Sequence, residues 1–219
     1  MSMVTSVDRE ISSHAVRALL EATLGLTAPL NTNIHSNDQM FNYIASTRGN
    51  GAAAYSEYFT SGVQLLKPLE QVVKWKFGSF ERVDSLLDFA SGYGRLTRLL
   101  VHAMSPDRIW VSDIQADAVA FQQAEFGVHG FVSTADPADL QPDRTFDVIF
   151  VASLFSHLPG TTFTAWLKKL YSLLRPGGLL AFSANDQSRL PGGVTMPEIG
   201  IWFVEASEVA SLDTKDYGN

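Results

Sequence analysis

The segment with the clearest chemical capacity is LLDFASGYGRLTRLL, Leu86 to Leu100. It sets a carboxylate, Asp88, near the end of an apolar run, follows it with Gly92 and Gly94, and continues into a helical pattern. Glycine has no side chain, so the backbone can turn sharply there and a ligand can approach it closely. Ligand crevices of open α/β sheets lie at such carboxyl ends of strands. A glycine turn alone does not choose the ligand, because dinucleotide enzymes use one too. Asp88 does discriminate: a pyrophosphate would meet it as a like charge, whereas an ammonium and a sulfonium would meet it as opposite charges. Asp113 closes RIWVSDI, 25 positions further on. A carboxylate there can accept hydrogen bonds from ribose hydroxyls, or it can cap the following helix, a role for which Asp117 also stands ready.

Fewer residues suggest themselves for proton transfer. His157 follows the fourth apolar run, where a cleft opens in such folds, and offers either a general base or a structural imidazole beside Leu158 and Pro159. His14, His35, His102 and His129 are scattered without ligand spacing, so no metal site is expected. Tyr55, Tyr58 and Phe59 recur three and four positions apart, as one helix face. Such a stripe either packs in a core or covers an acceptor pocket, and Tyr55 and Tyr58 are the candidate substrate contacts.

These residues need a scaffold, and the pattern from Arg82 onward supplies it. Short apolar runs alternate with amphipathic stretches, as in βαβ units with a parallel sheet. Strands are expected at Ser85–Phe89, Ile109–Ser112, Gly130–Ser133, Phe146–Ala152 and Leu179–Ser183, with helices at Arg95–Met104, Asp117–Phe126 and Phe163–Leu174. FDVIFVASLF is apolar almost throughout, as suits a central strand covered on both faces. Gly127 sits where the second helix should stop. Upstream, Asp8 to Leu24 has helical spacing, residues 27 to 51 read as a loop, and Ala52–Leu66 and Pro68–Phe77 read as two helices. This gives a helical N-terminal extension, 1–80, docked on a Rossmann-like domain, 81–219, with a mostly parallel sheet and helices on both faces.

Composition narrows the function. With 219 residues, 46% of them hydrophobic, the chain can bury one substantial core. No run approaches the roughly 18 apolar residues of a membrane helix. The chain has no cysteine, which removes disulfide and thiolate chemistry and makes a cytoplasmic location the simplest expectation. A net charge of -7 disfavours nucleic acid, whose binding relies on many lysine and arginine contacts. A small-molecule or protein acceptor fits better than a nucleic acid.

The combination of segments resembles class I S-adenosylmethionine-dependent methyltransferases (EC 2.1.1 class). DFASGYGR is similar to the family's first motif and VSDI to its second-strand acid. DPADLQPDRTFDVIF, LFSHLP and LLRPGGLLAFS resemble later segments in the same order, over about residues 83 to 184. The resemblance implies that Asp88 and the backbone of Ala90, Ser91, Gly92 and Gly94 hold the methionine end. It gives Asp113 the ribose and Ile114 the adenine face, while Asp136 accepts from the adenine amino group and Ser153 lines the cleft. Asp136 has an alternative as a turn residue before Pro137. It also implies S-adenosyl-L-methionine as cofactor and an in-line methyl transfer whose rate comes largely from alignment. The Asn-Pro-Pro-Tyr type motif of relatives that methylate amide or nucleobase nitrogens is replaced here by Ala152-Ser153-Leu154-Phe155.

Two alternatives remain open at this stage: a non-catalytic module that binds the cofactor, and a nicotinamide-dependent oxidoreductase, against which Asp88 argues. After Ser183 the chain offers a sixth strand at Gly200–Val204 and then the polar tail SLDTKDYGN. The family's last strand is therefore expected to be absent, or the chain to be a truncated version, which would leave a sheet edge through which two copies could pair.

Overall fold

A computed structural model of the protein describes residues 15–205, apart from 16, 24, 50 and 199, together with 218. Its centre is a five-stranded, wholly parallel sheet made of β1 (Leu86–Phe89), β2 (Ile109–Asp113), β3 (His129–Val132), β4 (Phe146–Val151) and β5 (Leu174–Phe182), in the order β3-β2-β1-β4-β5. The direction of strand addition reverses between β1 and β4. Their carboxyl ends thus frame the switch point where such sheets bind ligands.

The strands alternate sides with a period of two. Leu86, Ile109, Val111, Val148 and Phe150 enter one buried cluster, whereas Leu87, Phe89, Ile149 and Val151 enter the other. The first cluster is covered by α2 (Ala52–Phe77), α3 (Thr97–Ala103) and α4 (Ala116–Phe126). The second is covered by α5 (Gly160–Ser172), through Trp166 and Leu170. The upstream helices contribute Tyr58, Phe59, Leu66, Leu69 and Val73 to the same cluster as β1 and β2, so sheet and extension share one continuous core.

The upstream region departs from the expected layout in two places. First, the stretch expected to be a loop contains α1 (Gln39–Arg48), started by the Asp38 carboxylate, which accepts from the Phe41 N–H at 3.0 Å. Ile44 and Ala45 give this helix its buried side. Second, the two helices expected on either side of Lys67 are a single helix, because α2 runs unbroken through Pro68. An interior proline costs about 3 kcal/mol. The stripe Tyr58, Phe59, Leu66, Leu69 and Val73 outweighs it, since each large apolar side chain taken from water stabilises by about 2 kcal/mol.

Within the sheet domain the expected elements form with small shifts. β5 begins at Leu174 rather than Leu179, and the α5 helix starts at Gly160 rather than Phe163. Gly127 ends α4 in a left-handed conformation, φ 68°, with its N–H donating to the Gln123 carbonyl. Residues 200–204, expected as a sixth strand, adopt no strand, so β5 is an outer strand paired with β4 alone among the described residues. The helix expected from Asp8 is present across residues 17–23; its start lies outside the described residues. No helix of the described residues is long and apolar enough to cross a membrane.

Candidate active site

A cleft of about 1200 Å³ opens at the carboxyl ends of β1, β2 and β4, and its deepest charged group is Asp88. The side chain is 2% exposed and accepts from the Thr97 hydroxyl at 3.1 Å. Burial pushes its carboxyl up to about 7, more than the Thr97 hydrogen bond and the nearby Arg95 charge pull it down. A carboxyl in this setting stays half neutral near pH 7 until a cation arrives to compensate its charge.

The turn beyond β1 opens the main chain to this cleft. Ala90 (φ 57°) and Gly92 (φ 56°) are both left-handed, and a side chain added at Gly92 would meet nothing within 4 Å, so that side of the backbone faces open space. At Gly94 (φ 80°) the need is different: a Cβ would lie 2.4 Å from the Phe126 ring, so only glycine lets α4 pack against the turn. Ala90 and Ser153 (φ 66°) are the two left-handed non-glycine residues among the described residues. They follow β1 and β4, the two strands that flank the switch point, where backbone strain of about 1–3 kcal/mol each is held by the surrounding structure.

Asp113 stands at the end of β2, as expected, and braces the turn. Its Oδ2 accepts from the Gly92 N–H at 2.8 Å and its Oδ1 from the Gln115 N–H at 3.0 Å. Burial raises its pKa against these backbone donors. Each carboxylate oxygen can accept more than one hydrogen bond, so capacity for hydroxyl donors remains. Neither Asp113 nor Asp117 caps α4; Asp117 instead accepts from the Tyr93 hydroxyl at 2.6 Å and from Asn37. Ile114 and Asp136 line the same end of the cleft. Asp136 also caps a short 3-10 turn, accepting from the Ala138 N–H at 2.8 Å, so its turn role is realised.

Ser153 lines the opposite side, its N–H donating to the Ser183 hydroxyl at 2.7 Å and so tying β4 to β5. His157 lies one short turn further along the cleft. Its Nδ1 is 2.8 Å from the Gly218 carbonyl oxygen. A carbonyl only accepts, so Nδ1 is the donor of this hydrogen bond.

The aromatic pair on α2 is placed elsewhere. Tyr58 is fully buried, its hydroxyl donating to Asp38 at 2.5 Å, and burial drives its pKa well above the ordinary phenol value. Tyr55 packs on Phe41 and Phe59, with ring centroids 5.0 and 6.5 Å away. Neither lines the cleft, the place expected of a substrate contact: the apolar stripe is needed inside. Gln39, Met40 and Tyr43 of α1 take that position. Asp38 beside an apolar pattern at Met40, Phe41, Ile44 and Ala45 was the available signal. Gln122 carried none: it is fully buried on α4 and donates to the Ser91 hydroxyl at 2.8 Å and the Gly92 carbonyl at 2.7 Å.

An open parallel sheet with this switch point, a bare glycine turn after its first strand and an acid closing its second defines a Rossmann-like domain. Residues 87–180 match the family model described as a methyltransferase domain. The fold is similar to solved structures of that kind. One is the sugar N-methyltransferase KedS8 from Streptoalloteichus sp, at TM-score 0.53 and 17% identity over 77% of this chain and 64% of that one. Another is the amino pentose methyltransferase CalS10 from Micromonospora echinaspora, bound to SAM, at TM-score 0.52 and 17% identity over 75% and 63%. A third is Streptomyces venezuelae DesVI, at TM-score 0.52 and 15% identity over 74% and 63%. The chain thus spans a little under two thirds of the length of these three proteins.

Proposed function

We propose that this chain transfers the methyl group of S-adenosylmethionine to a small-molecule acceptor held in the cleft. The carrying observation is the buried Asp88 carboxyl, set beside open glycine backbone with a neutral hydroxyl as its hydrogen-bond partner. Such a group is stabilised by an ammonium, and the buried Ser112 hydroxyl, without a hydrogen-bond partner among the described residues, adds a further polar atom beside the turn. The cofactor supplies an electrophilic methyl on a sulfonium.

In this proposal Asp88 and the main chain of Ala90, Ser91, Gly92 and Gly94 hold the amino acid end. Asp113 accepts from the ribose hydroxyls, Ile114 packs on the adenine and Asp136 accepts from its amino group. Ser153 shapes the wall between them. His157 takes the proton of an acceptor that must lose one. The cleft's volume exceeds the roughly 300–1000 Å³ of a single small-molecule site, which leaves room for an acceptor beside the cofactor. The net charge of -7 supports a small molecule over a nucleic acid. A cytoplasmic location and pairing of two copies through the β5 edge belong to the same proposal.

Calorimetry with S-adenosylhomocysteine tests it directly. Binding with a Kd on the order of micromolar is expected for the wild type, and its absence up to about 1 mM ligand would overturn the proposal. A catalytically idle binding module would show that affinity without methyl transfer to any acceptor.

A further inference from the structure

A second, shallower groove of about 670 Å³ runs between α1 and α2 and meets the main cleft at Met40, Tyr43 and Arg95. Its α2 wall carries Ser56, Thr60 and Gln64, four residues apart and therefore on one helix face, with Ser61 beside them. Among the described residues, none of Ser56, Thr60 and Gln64 has a side-chain hydrogen-bond partner. They offer hydroxyl and amide groups to whatever enters.

Arg95 sits where the groove and the cleft join. It is held there by a close approach of backbones: a Cβ on Gly62 would lie 2.5 Å from the Arg95 carbonyl oxygen, so the glycine lets α2 cross directly over it. The crossing brings Ser61 Oγ within 3.2 Å of an Arg95 terminal nitrogen. Among the described residues no carboxylate comes within ion-pair distance of the guanidinium, although Asp38 and Asp88 act on it at longer range. Burial lowers its pKa, the mark of a charge that has lost water without gaining a full partner. A guanidinium has five donors in a planar fork, and one hydroxyl uses little of that capacity.

We propose that this groove is the acceptor subsite of the enzyme and that Arg95 selects an acceptor carrying an oxyanion, with the hydroxyl- and amide-lined α2 face taking the oxygen-rich remainder. The inference rests on the methyltransferase proposal above. It assigns Asp88 and the glycine turn to the cofactor and Arg95 to the acceptor.

The test is calorimetry on protein saturated with S-adenosylhomocysteine, with gluconate as the anionic probe and sorbitol as its uncharged counterpart. Gluconate should bind at least about tenfold more tightly than sorbitol, as one charge-assisted fork contact provides. Arg95→Gln should abolish that preference while changing the affinity for S-adenosylhomocysteine by less than about threefold. Gln64→Leu should weaken both polyols and leave the preference intact. Equal binding of the two probes, or no binding of either, overturns the proposal. So does a loss of more than about tenfold in S-adenosylhomocysteine affinity in Arg95→Gln, which would give Arg95 to the cofactor. Failure of the wild type to bind S-adenosylhomocysteine sinks the parent reading instead, and that is measured first.

Discussion

The two walls of the cleft are made of different materials. The wall at β1 and β2 presents backbone: a left-handed turn, amide groups, and two carboxyls anchored at strand ends, braced from behind by Gln122 and Asp113. The facing wall, from α1 and the start of α5, presents side chains mounted on helices. Backbone geometry changes slowly with sequence and demands glycine at set positions, so the first wall suits a ligand common to many enzymes. Side chains on helix faces can be exchanged without disturbing the fold, so the second suits a ligand particular to one enzyme.

The first wall should be the less tolerant of the two. Gly94→Ala places a Cβ 2.4 Å from Phe126 at φ 80°, and should cost about 3 kcal/mol or more of unfolding free energy in urea titration. A cost below about 0.5 kcal/mol would show that α4 and the turn yield freely, and the contrast between the walls would lose its basis.

Asp88→Asn should separate stability from binding. Between the ordinary carboxyl value of 3.8 and its folded value of about 7, Asp88 holds a proton in the folded chain that it lacks in the unfolded one. Stability of the free protein therefore falls as pH rises through this window, by up to about 4 kcal/mol, and levels off above it. Cofactor affinity has the opposite sign, because an ammonium needs the ionised form: it should rise about tenfold per unit up to pH 7 and then flatten. At pH 8 the asparagine variant should bind S-adenosylhomocysteine about 100-fold more weakly and yet unfold at a higher temperature than wild type. A variant that lost affinity and stability together would show Asp88 to be structural.

These two positions were readable in the chain because their chemistry is local. Gly92, Gly94 and Asp88 lie within seven consecutive residues, and Asp113 closes the next strand. The apolar runs gave all five strands because a parallel sheet covered on both faces leaves little freedom in composition. The upstream region was less legible for equally physical reasons. Tyr55 and Tyr58 have the spacing of a helix face, but spacing does not say which face meets the core and which a ligand. Pro68 ordinarily punctuates a helix, and only tertiary packing overrides it. Gln122 and Arg95 act through contacts with Gly92 and Ser61, 30 and 34 residues away in sequence, which no local pattern reveals.

Tyr58→Phe probes that ambiguity. Removing the hydroxyl leaves the buried Asp38 carboxylate short of a donor and should cost about 2 kcal/mol of stability, with S-adenosylhomocysteine affinity nearly unchanged. A large rise in acceptor KM with stability intact would return Tyr58 to the substrate site.

The smallest effect belongs to the helix-borne wall itself. Tyr43 is 59% exposed, lines both the cleft and the side groove, and is not part of the buried cluster. Tyr43→Ala should therefore leave the urea midpoint and the cofactor affinity where they are, within about 0.5 kcal/mol. Its effect should fall on the acceptor alone, as a change of about tenfold in kcat/KM, since an exposed aromatic supplies contact area at little ordering cost. If Tyr43→Ala instead weakens S-adenosylhomocysteine as much as Asp88→Asn does, α1 closes over the cofactor. The division between a backbone wall for the donor and a side-chain wall for the acceptor would then fail.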